Sequence, residues 1–339
     1  MPKGIKVAII VLLSIIIVLS ATVCTYFFFP WHRGFFNHAD EEFAIPGLDT
    51  DFVPQGFTEL KGYNKYVISG YMNDGSPSRF YVIDQETKAV DKYVTLKIQD
   101  TKMYNGHAGG VASYGSLLWT VSYAEDLDKG IVFCFDVSRV LAADNGEVVP
   151  IRDFFDPLNN ADCVFVQDDM LWIGEFYRED SHETDEDHHK KTRTGEEHHA
   201  LAYGYKISEK YNTGVINEEC PDKLLSIRDL CQGIDVTSDG KFVLSTSYSI
   251  PNSHLYYYNN VLEEEPHAIA RVGLSEVPMW YLDDNALINS VEIPSMAEEI
   301  VIKNDRVYIL FESACKKYRL VNRTRLKSVY SIPLSYLEK

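Results

Sequence analysis

Acidic side chains stand immediately before two apolar runs of the chain, where they could hold a cation. They are Asp162, in NADCVFV, and the adjacent pair Glu298 and Glu299, in SMAEEIVI. Carboxylates that converge repel one another, so either one of them is protonated or a cation lies among them. Carboxylate oxygens suit a hard divalent cation such as Ca²⁺. We therefore predict that these three residues contribute to a metal site.

Amide and imidazole side chains occupy similar positions before other apolar runs. Gln55, Asn160 and Gln232 offer amide oxygens, and His107 offers an imidazole. Amide oxygens could complete the coordination of a hard ion. His107 could act as a general base beside that ion, with Glu298 as the second catalytic residue. An inert, water-filled polar mouth is the alternative interpretation.

All these polar residues belong to a stretch that recurs five times, at spacings of about 50 to 70 residues, near or above the period of a four-stranded blade. Each copy has a small or polar pair, an apolar residue, a short polar turn and a run of Val, Ile, Leu and aromatic residues. This pattern predicts an all-β fold, a five-bladed β-propeller. A β-sandwich also has many short strands but does not repeat a polar pair in register. Six blades are the alternative if the segment near Trp280 forms a degenerate blade.

The predicted fold explains how distant side chains could meet. The innermost strand of each propeller blade lines a central channel, and the polar pair stands at the start of that strand. The five pairs would then form a ring around one end of the channel, with Gly109 at the position taken by a polar residue in the other copies. We predict a ligand-binding channel mouth formed by Gln55, His107, Asn160, Asp162, Gln232, Glu298 and Glu299.

The amino-terminal stretch from Val7 to Phe29 is apolar and long enough to cross a bilayer as a helix. Lys3 and Lys6 precede it and only Arg33 follows closely, which favours a cytoplasmic amino terminus. We predict a cytoplasmic stub and uncleaved signal anchor over residues 1–30, a linker over 31–50 and an extracellular propeller domain over 51–339, at the cell membrane. A cleaved signal peptide is the alternative, but its apolar core is usually shorter and no convincing cleavage site follows.

Charge and cysteine content limit the partners and the cross-links. With 32 basic and 50 acidic residues the formal net charge is −18, which argues against a nucleic-acid partner because no basic stripe is visible. Of the six cysteines, Cys24 lies in the apolar stretch, and the odd number that remains does not indicate a disulfide framework. Cys220 and Cys231 flank one short segment and could pair.

A polar insertion over residues 178–199 carries five of the ten histidines. Histidine, aspartate and glutamate are ligands for transition metals. Four of these histidines form the adjacent pairs His188-His189 and His198-His199, however, and adjacent side chains on a strand diverge. The composition therefore favours a solvated loop over a metal site.

The segments VPQGF, HAGGVA, CQGIDVTSDGKFVLSTSY and PSMAEEIVI resemble uncharacterised bacterial membrane-anchored or secreted β-propeller proteins. More distantly, they resemble the superfamily of calcium-dependent lactonase and strictosidine-synthase-like propellers. The lactonase resemblance implies acidic and amide ligands to a divalent ion at the channel, for which Asn160, Asp162 and Glu298 or Glu299 are the matching residues. Glutamine at two copies departs from the Asn, Asp or Glu expected there.

Two functions follow as hypotheses. In the first, the chain is a membrane-tethered extracytoplasmic propeller without catalysis, which binds a small molecule, a glycan or a protein of the cell envelope at its channel mouth. In the second, it is a divalent-metal-dependent hydrolase of lactone or ester type that uses His107 and Glu298. A scaffold in a membrane complex is compatible with the same residues.

Overall fold

The computed structural model describes residues 2–28, 31–98, 102–124 and 129–338, so Phe29, the end of the predicted apolar stretch, lies outside the described residues. The helices are α1 Lys3–Phe28, α2 Arg33–Phe36, α3 Val137–Ala142 and α4 Leu334–Leu337, with 3₁₀ turns at Glu186–His188 and Val261–Glu263. The strands are β1 Asp40–Ala44, β2 Phe52–Leu60, β3 Lys65–Met72, β4 Arg79–Asp84, β5 Val90–Lys97, β6 Val111–Tyr114, β7 Leu117–Ala124, β8 Lys129–Asp136, β9 Val148–Pro150, β10 Asp153–Phe155, β11 Cys163–Gln167, β12 Met170–Gly174, β13 Lys190–Lys191, β14 Glu197–His198, β15 Ala200–Lys206, β16 Lys223–Ile227, β17 Cys231–Val236, β18 Phe242–Thr246, β19 Ser253–Tyr258, β20 Ala268–Val272, β21 Ser275–Tyr281, β22 Leu287–Ile293, β23 Ala297–Lys303, β24 Arg306–Phe311 and β25 Ser328–Pro333.

The strands form five blades around one axis, which confirms the five-bladed β-propeller. From the axis outward, blade 1 is β2-β3-β4-β5 with β9 added in parallel, and blade 2 is β6-β7-β8-β10. Blade 3 begins β11-β12-β15-β16, and blade 4 is β17-β18-β19-β22. Blade 5 is β23-β24-β25, and β1, which lies in the stretch predicted to be a linker, pairs with β25 as its outermost strand. This pairing closes the ring and covers an edge that would otherwise be exposed.

Each blade has a polar turn between its first two strands, and these turns are a feature by which the repeat can be recognised in the sequence. All five turns place at least one residue in the left-handed region of backbone conformation, which Gly, Asn and Asp adopt at least cost. These residues and their φ angles are Asn64 55°, Gly115 55°, Asp168 54°, Gly240 81° and Asn304 51°. Between the turns, apolar side chains of neighbouring blades pack into the cores that separate the blades.

The segment near Trp280 does not form a sixth blade. It folds as the β20-β21 hairpin, and β21 pairs in parallel with β16, so the hairpin extends blade 3 to six strands. Trp280 is buried there, and its indole N–H donates to the Glu264 carbonyl at 3.0 Å. The six-blade alternative is therefore wrong, because the hairpin finds its hydrogen bonds on an existing sheet edge.

The cysteines are all free in the structure. Cys231 does not pair with Cys220, contrary to the pairing considered from the sequence. It lies instead beside Cys163 on the neighbouring inner strand, with 3.8 Å between the two sulfurs, and both residues are fully buried. The contact arises because β11 and β17 are adjacent around the axis.

The histidine-rich insertion is largely exposed, as expected of a solvated loop, but two of its histidines dock it on blade 3. His188 and His198 are buried, while their neighbours His189 and His199 lie half-exposed on the other side with ring centroids 4.7 Å apart. Adjacent histidines therefore diverge as expected. Glu175, at the end of β12, provides the attachment: its carboxylate accepts a hydrogen bond from His188 Nδ1 at 2.8 Å and from the Leu201 N–H at 2.9 Å.

Helix α1 is apolar after Lys6, and its residues from Lys3 to Thr25 are exposed. One stretch of it, Lys3–Tyr26, is long and apolar enough to cross a membrane. An exposed apolar helix of this length is a candidate membrane span or signal anchor, because burial in lipid is what its surface requires.

Candidate functional site

β-Bulges at the starts of three inner strands project the recurring polar residues. The register of β2 shifts between Pro54 and Gly56, leaving Gln55 as the extra residue. The same shift occurs around Gln232 in β17 and around Glu298 and Glu299 in β23. A bulge leaves its extra residue out of the ladder and re-aims its side chain. The polar pairs that recur in the sequence are thus, in these three blades, the bulged residues.

Glycines allow the five strand starts to approach one another closely. A Cβ added at Gly56 would lie 2.6 Å from the Gly109 carbonyl oxygen on the next blade. A Cβ at Gly110 would lie 2.9 Å from Glu299 Oε2, and one at Gly233 would lie 2.4 Å from Glu299 Oε1. The Cβ at Gly233 would also lie 2.8 Å from the Glu299 Cα, a backbone atom that cannot move aside as a side-chain end can, so glycine is required there. The strand starts of the blades therefore meet at one end of the channel, here called the channel mouth.

Six polar side chains from blades 1, 2 and 5 lie together at the channel mouth and are here called the mouth cluster: Gln55, Tyr71, His107, Glu298, Glu312 and Lys317. Gln55 Nε2 donates to Glu312 Oε2 at 3.0 Å, although the two residues are 257 positions apart. Lys317 Nζ donates to the Tyr71 hydroxyl at 2.6 Å. The Tyr71 ring packs against His107 with a centroid distance of 4.7 Å. The cluster thus contains hydrogen-bond donors, hydrogen-bond acceptors and aromatic ring faces.

Glu298 and Glu312 form a carboxyl pair that shares a hydrogen bond. Burial raises the pKa of Glu298 well above its usual 4.5, and the charge of Glu312 raises it further. Burial raises the pKa of Glu312 to about 7. Two adjacent buried carboxylates cannot both ionise cheaply. Glu298 is therefore the protonated donor and Glu312 the acceptor at neutral pH.

His107 lines the mouth as a neutral imidazole. It is accessible to water, but the protein atoms around it desolvate the ring and lower its pKa to about 4, with a smaller effect from the Lys317 charge. A neutral imidazole offers both a donor and an acceptor. It can therefore hydrogen-bond a ligand or accept a proton from one.

Glu299 leaves the mouth and enters the channel. It is 1% exposed, neither carboxyl oxygen has a hydrogen-bond partner within bonding geometry, and burial raises its pKa well above the usual value. Its carboxyl reaches from blade 5 to Gly233 on blade 4 and towards Gly110 on blade 2. A cavity of about 50 Å³ adjoins it inside the channel. Glu299 thus narrows the channel below the mouth cluster.

Asp162, Asn160 and Gln232 line the rest of the mouth, on blades 3 and 4. Asp162 Oδ2 accepts from the Phe176 N–H at 2.8 Å. The residue is accessible to water, but the protein atoms around its carboxyl desolvate it and, with the charge of Glu175, raise the pKa of Asp162 to about 7. Asn160 donates to the Glu183 carbonyl at 3.3 Å, and Gln232 donates to the Ser247 carbonyl at 3.2 Å. These side chains are tied to neighbouring backbone rather than to the mouth cluster.

The three carboxyl groups predicted to hold a metal do not gather as a chelating set. Among the described residues, the one group of three His, Cys, Asp or Glu side chains with ligand atoms within 4.8 Å of one another is Asp185, Asp187 and His188. There His188 uses both ring nitrogens, on Glu175 at 2.8 Å and on the Tyr203 hydroxyl at 3.0 Å. Neither set therefore presents free, converging ligands for a divalent ion.

The opposite end of the channel opens into a wider cavity of about 1060 Å³, lined by the hairpin turns. Two of its three lysines are paired within the protein, Lys241 with Asp239 at 2.8 Å and Lys303 with Glu59 at 2.7 Å, and the charge of the third, Lys61, interacts with Asp235. Paired surface charges have little left to offer a ligand. The mouth cluster is the stronger candidate site.

Tyr71, Glu312 and Lys317 were not found from the sequence. Tyr71 lies opposite Val53 near the end of β3, and the Glu312 N–H donates to the Met296 carbonyl just after β24. The second strand of a hairpin returns to the end where the first began. The residues at the end of the second strand of each blade therefore also reach the channel mouth, and their positions in the sequence could have identified them.

No protein-family model and no curated protein matches the chain. Among solved structures, it is similar to the PQQ-bound aldose sugar dehydrogenase from Streptomyces coelicolor, with 9% identity, a TM-score of 0.45, and coverage of 87% of this chain and 96% of that one. BamB from Moraxella catarrhalis has 9% identity, a TM-score of 0.34, and coverage of 83% and 82%. An exo-β-1,3-galactanase from Phanerochaete chrysosporium has 10% identity, a TM-score of 0.43, and coverage of 82% and 58%. The first two are β-propeller proteins, and the likeness concerns the fold alone.

Proposed function

We propose that this protein is a membrane-tethered β-propeller that binds a polar small molecule or a glycan at its mouth cluster. The observation that carries the proposal is the contact between Gln55 and Glu312, which joins two blades inside a cluster with a shared proton. A few convergent polar groups on rigid strands are what a ligand site needs.

The charge state of the cluster narrows the ligand class. With Glu298 protonated and His107 neutral, the ionised groups at neutral pH are Lys317 and, in part, Glu312. Such a cluster is nearly neutral overall and rich in both donors and acceptors. It favours a hydroxyl-rich ligand over a strongly charged one, because burying an uncompensated ligand charge is costly.

A thermal-shift screen tests the proposal on the full chain in detergent. We expect monosaccharides, oligosaccharides or hydroxy acids to raise the Tm of the wild type but not of Lys317→Met. Lys206→Met is the matched control, since Lys206 is also exposed but lies on blade 3 and pairs with Asp222 at 3.4 Å. If every compound that stabilises the wild type stabilises Lys317→Met equally, the mouth cluster is not the site.

We also propose that α1 spans the cell membrane with the propeller outside. Lys3 and Lys6 before the span and only Arg33 soon after it support a cytoplasmic amino terminus. Protease added to intact cells should then degrade the propeller. Full protection of the propeller in intact cells, with digestion after lysis, would refute this orientation.

A further inference from the structure

The loop between β24 and β25, residues 312–327, is basic in an otherwise acidic chain. It reads ESACKKYRLVNRTRLK and carries six basic residues and one acidic residue, although the chain as a whole has a net charge of −18. We call it the basic loop. The basic residues are Lys316, Lys317, Arg319, Arg323, Arg325 and Lys327. A local reversal of charge of this size indicates an anionic partner.

The basic loop lies beside the end of the candidate membrane span. The Tyr26 hydroxyl, in the last turns of α1, donates to the Val321 carbonyl at 3.4 Å. The Trp31 indole N–H donates to the Tyr26 carbonyl at 2.9 Å, and the Arg323 guanidinium lies over the Trp31 ring, 4.6 Å from its centroid. Tryptophan and tyrosine at the end of a span mark the headgroup level of a bilayer. The loop is thus placed at that level.

The tip of the loop is apolar and exposed. Leu320 is 77% exposed and Val321 is 51% exposed. The tip is held out by buried residues behind it: Asn322 Nδ2 donates to the Ser295 hydroxyl at 3.1 Å, and Leu326 packs in the core between blades 4 and 5. An exposed apolar tip flanked by basic residues is the pattern of a surface that enters the interfacial region of a membrane.

We propose that the basic loop docks on the bilayer that α1 crosses, with Arg319 and Lys327 on anionic phospholipid headgroups and Leu320 and Val321 inserted beneath them. The inference rests on the proposed membrane span, not on ligand binding at the mouth cluster. Continuity with α1 selects lipid over other anionic partners. Arg319 and Lys327 are exposed and available to headgroup phosphates.

The charge distribution on the rest of the propeller determines its expected orientation relative to the bilayer. The histidine-rich insertion on blade 3 carries a run of exposed acidic residues, including Glu179, Asp180 and Asp187. An anionic surface repels these residues and attracts the basic loop on blade 5. The propeller would therefore tilt towards its blade 5 edge. The mouth cluster, which takes Glu312 and Lys317 from the same loop, would open beside the headgroups.

Lipid quenching of an introduced tryptophan tests the docking on the full chain reconstituted in vesicles. Leu320→Trp is compared with Leu274→Trp, a control at a 103% exposed leucine on the β20-β21 turn of blade 3. The vesicles contain brominated phosphatidylcholine, alone or mixed with phosphatidylglycerol. The wild type, which already contains Trp31, gives the baseline quenching. In the mixed vesicles we expect Leu320→Trp to show quenching above this baseline and Leu274→Trp to show none above it.

Charge variants separate the headgroup contact from simple apolar insertion. In the Leu320→Trp background, Arg319→Gln and Lys327→Gln should each lower the docking equilibrium constant about fivefold in mixed vesicles, and high salt should have the same effect. Quenching that is equal in neutral and mixed vesicles would overturn the role of the anionic headgroups. Quenching of Leu320→Trp no greater than that of Leu274→Trp would overturn the docking. The same result is expected if the loop binds a protein or a nucleic acid instead of lipid.

Discussion

Replacing Glu312 with glutamine tests the shared proton of the mouth cluster. Glu312 has a pKa of about 7 in the folded protein against a usual 4.5. Because the folded-state pKa is raised, the stability that this group contributes is fully present below about pH 4.5 and is lost as the pH rises through about 7. Glu312→Gln keeps the hydrogen-bonding shape but removes that titration.

The magnitude follows from the pKa values. Ionising a group whose pKa has risen from 4.5 to about 7 costs the folded state about 3 kcal/mol once the pH is above 7. Glu312 is partly exposed and shares its proton with Glu298, so solvent screening lowers the expected cost to about 1 to 2 kcal/mol. Relative to the wild type, Glu312→Gln should therefore gain about 1 to 2 kcal/mol of unfolding free energy between about pH 5 and about pH 8.

Urea unfolding at several pH values, in one detergent, measures this difference. Other carboxyl groups with raised pKa values, such as Asp162 and Asp235, titrate in both proteins and cancel in the comparison. Glu86→Gln, at an exposed turn position of blade 1, should follow the wild type at every pH. Parallel curves for wild type and Glu312→Gln across the whole range would refute the carboxyl pair.

Two further predictions concern cross-linking and metal. Cys163 and Cys231, with sulfurs 3.8 Å apart, should form a disulfide when the chain refolds with oxidised glutathione, because pairing can occur before burial; alkylation of both thiols after such refolding would contradict this. Ca²⁺ at about 1 mM, the weak end of calcium affinities, should leave the Tm unchanged, because Asp162, Glu298 and Glu299 do not gather. A rise in Tm that Glu298→Gln abolishes would instead support the metal-dependent lactonase or esterase.

The architecture was predictable because the signal is local and repeated. Turn residues such as Gly240 adopt a left-handed backbone conformation that glycine tolerates, and the apolar runs that follow the turns form buried strands. The β20-β21 hairpin suggested a sixth blade because the sequence of a strand pair has the same pattern whether the pair starts a blade or extends one. Which sheet edge it joins depends on long-range hydrogen bonds that the sequence does not display.

The site was predictable only in part, for a geometric reason. Gln55 and Glu298 were found because their positions recur at the starts of inner strands. Adjacent Glu298 and Glu299 were expected to act together, but the bulge sends Glu298 to the mouth cluster and Glu299 into the channel. Glu175 shows the same limit: it draws His188 inward through a contact between residues 13 positions apart, which composition alone cannot indicate.

The central claim is that blades 1 and 5 bring the side chains of residues 55 and 312 into contact at the channel mouth. The most direct measurement is cross-linking of a Gln55→Cys/Glu312→Cys variant with a short bifunctional thiol reagent, in a background with Cys24 and Cys220 replaced by serine. We predict an intramolecular link between the two positions, identified by peptide mass spectrometry, and none between Gln55→Cys and Glu86→Cys. Failure of the first pair to link in the folded protein, while each single cysteine remains reactive, would contradict the account.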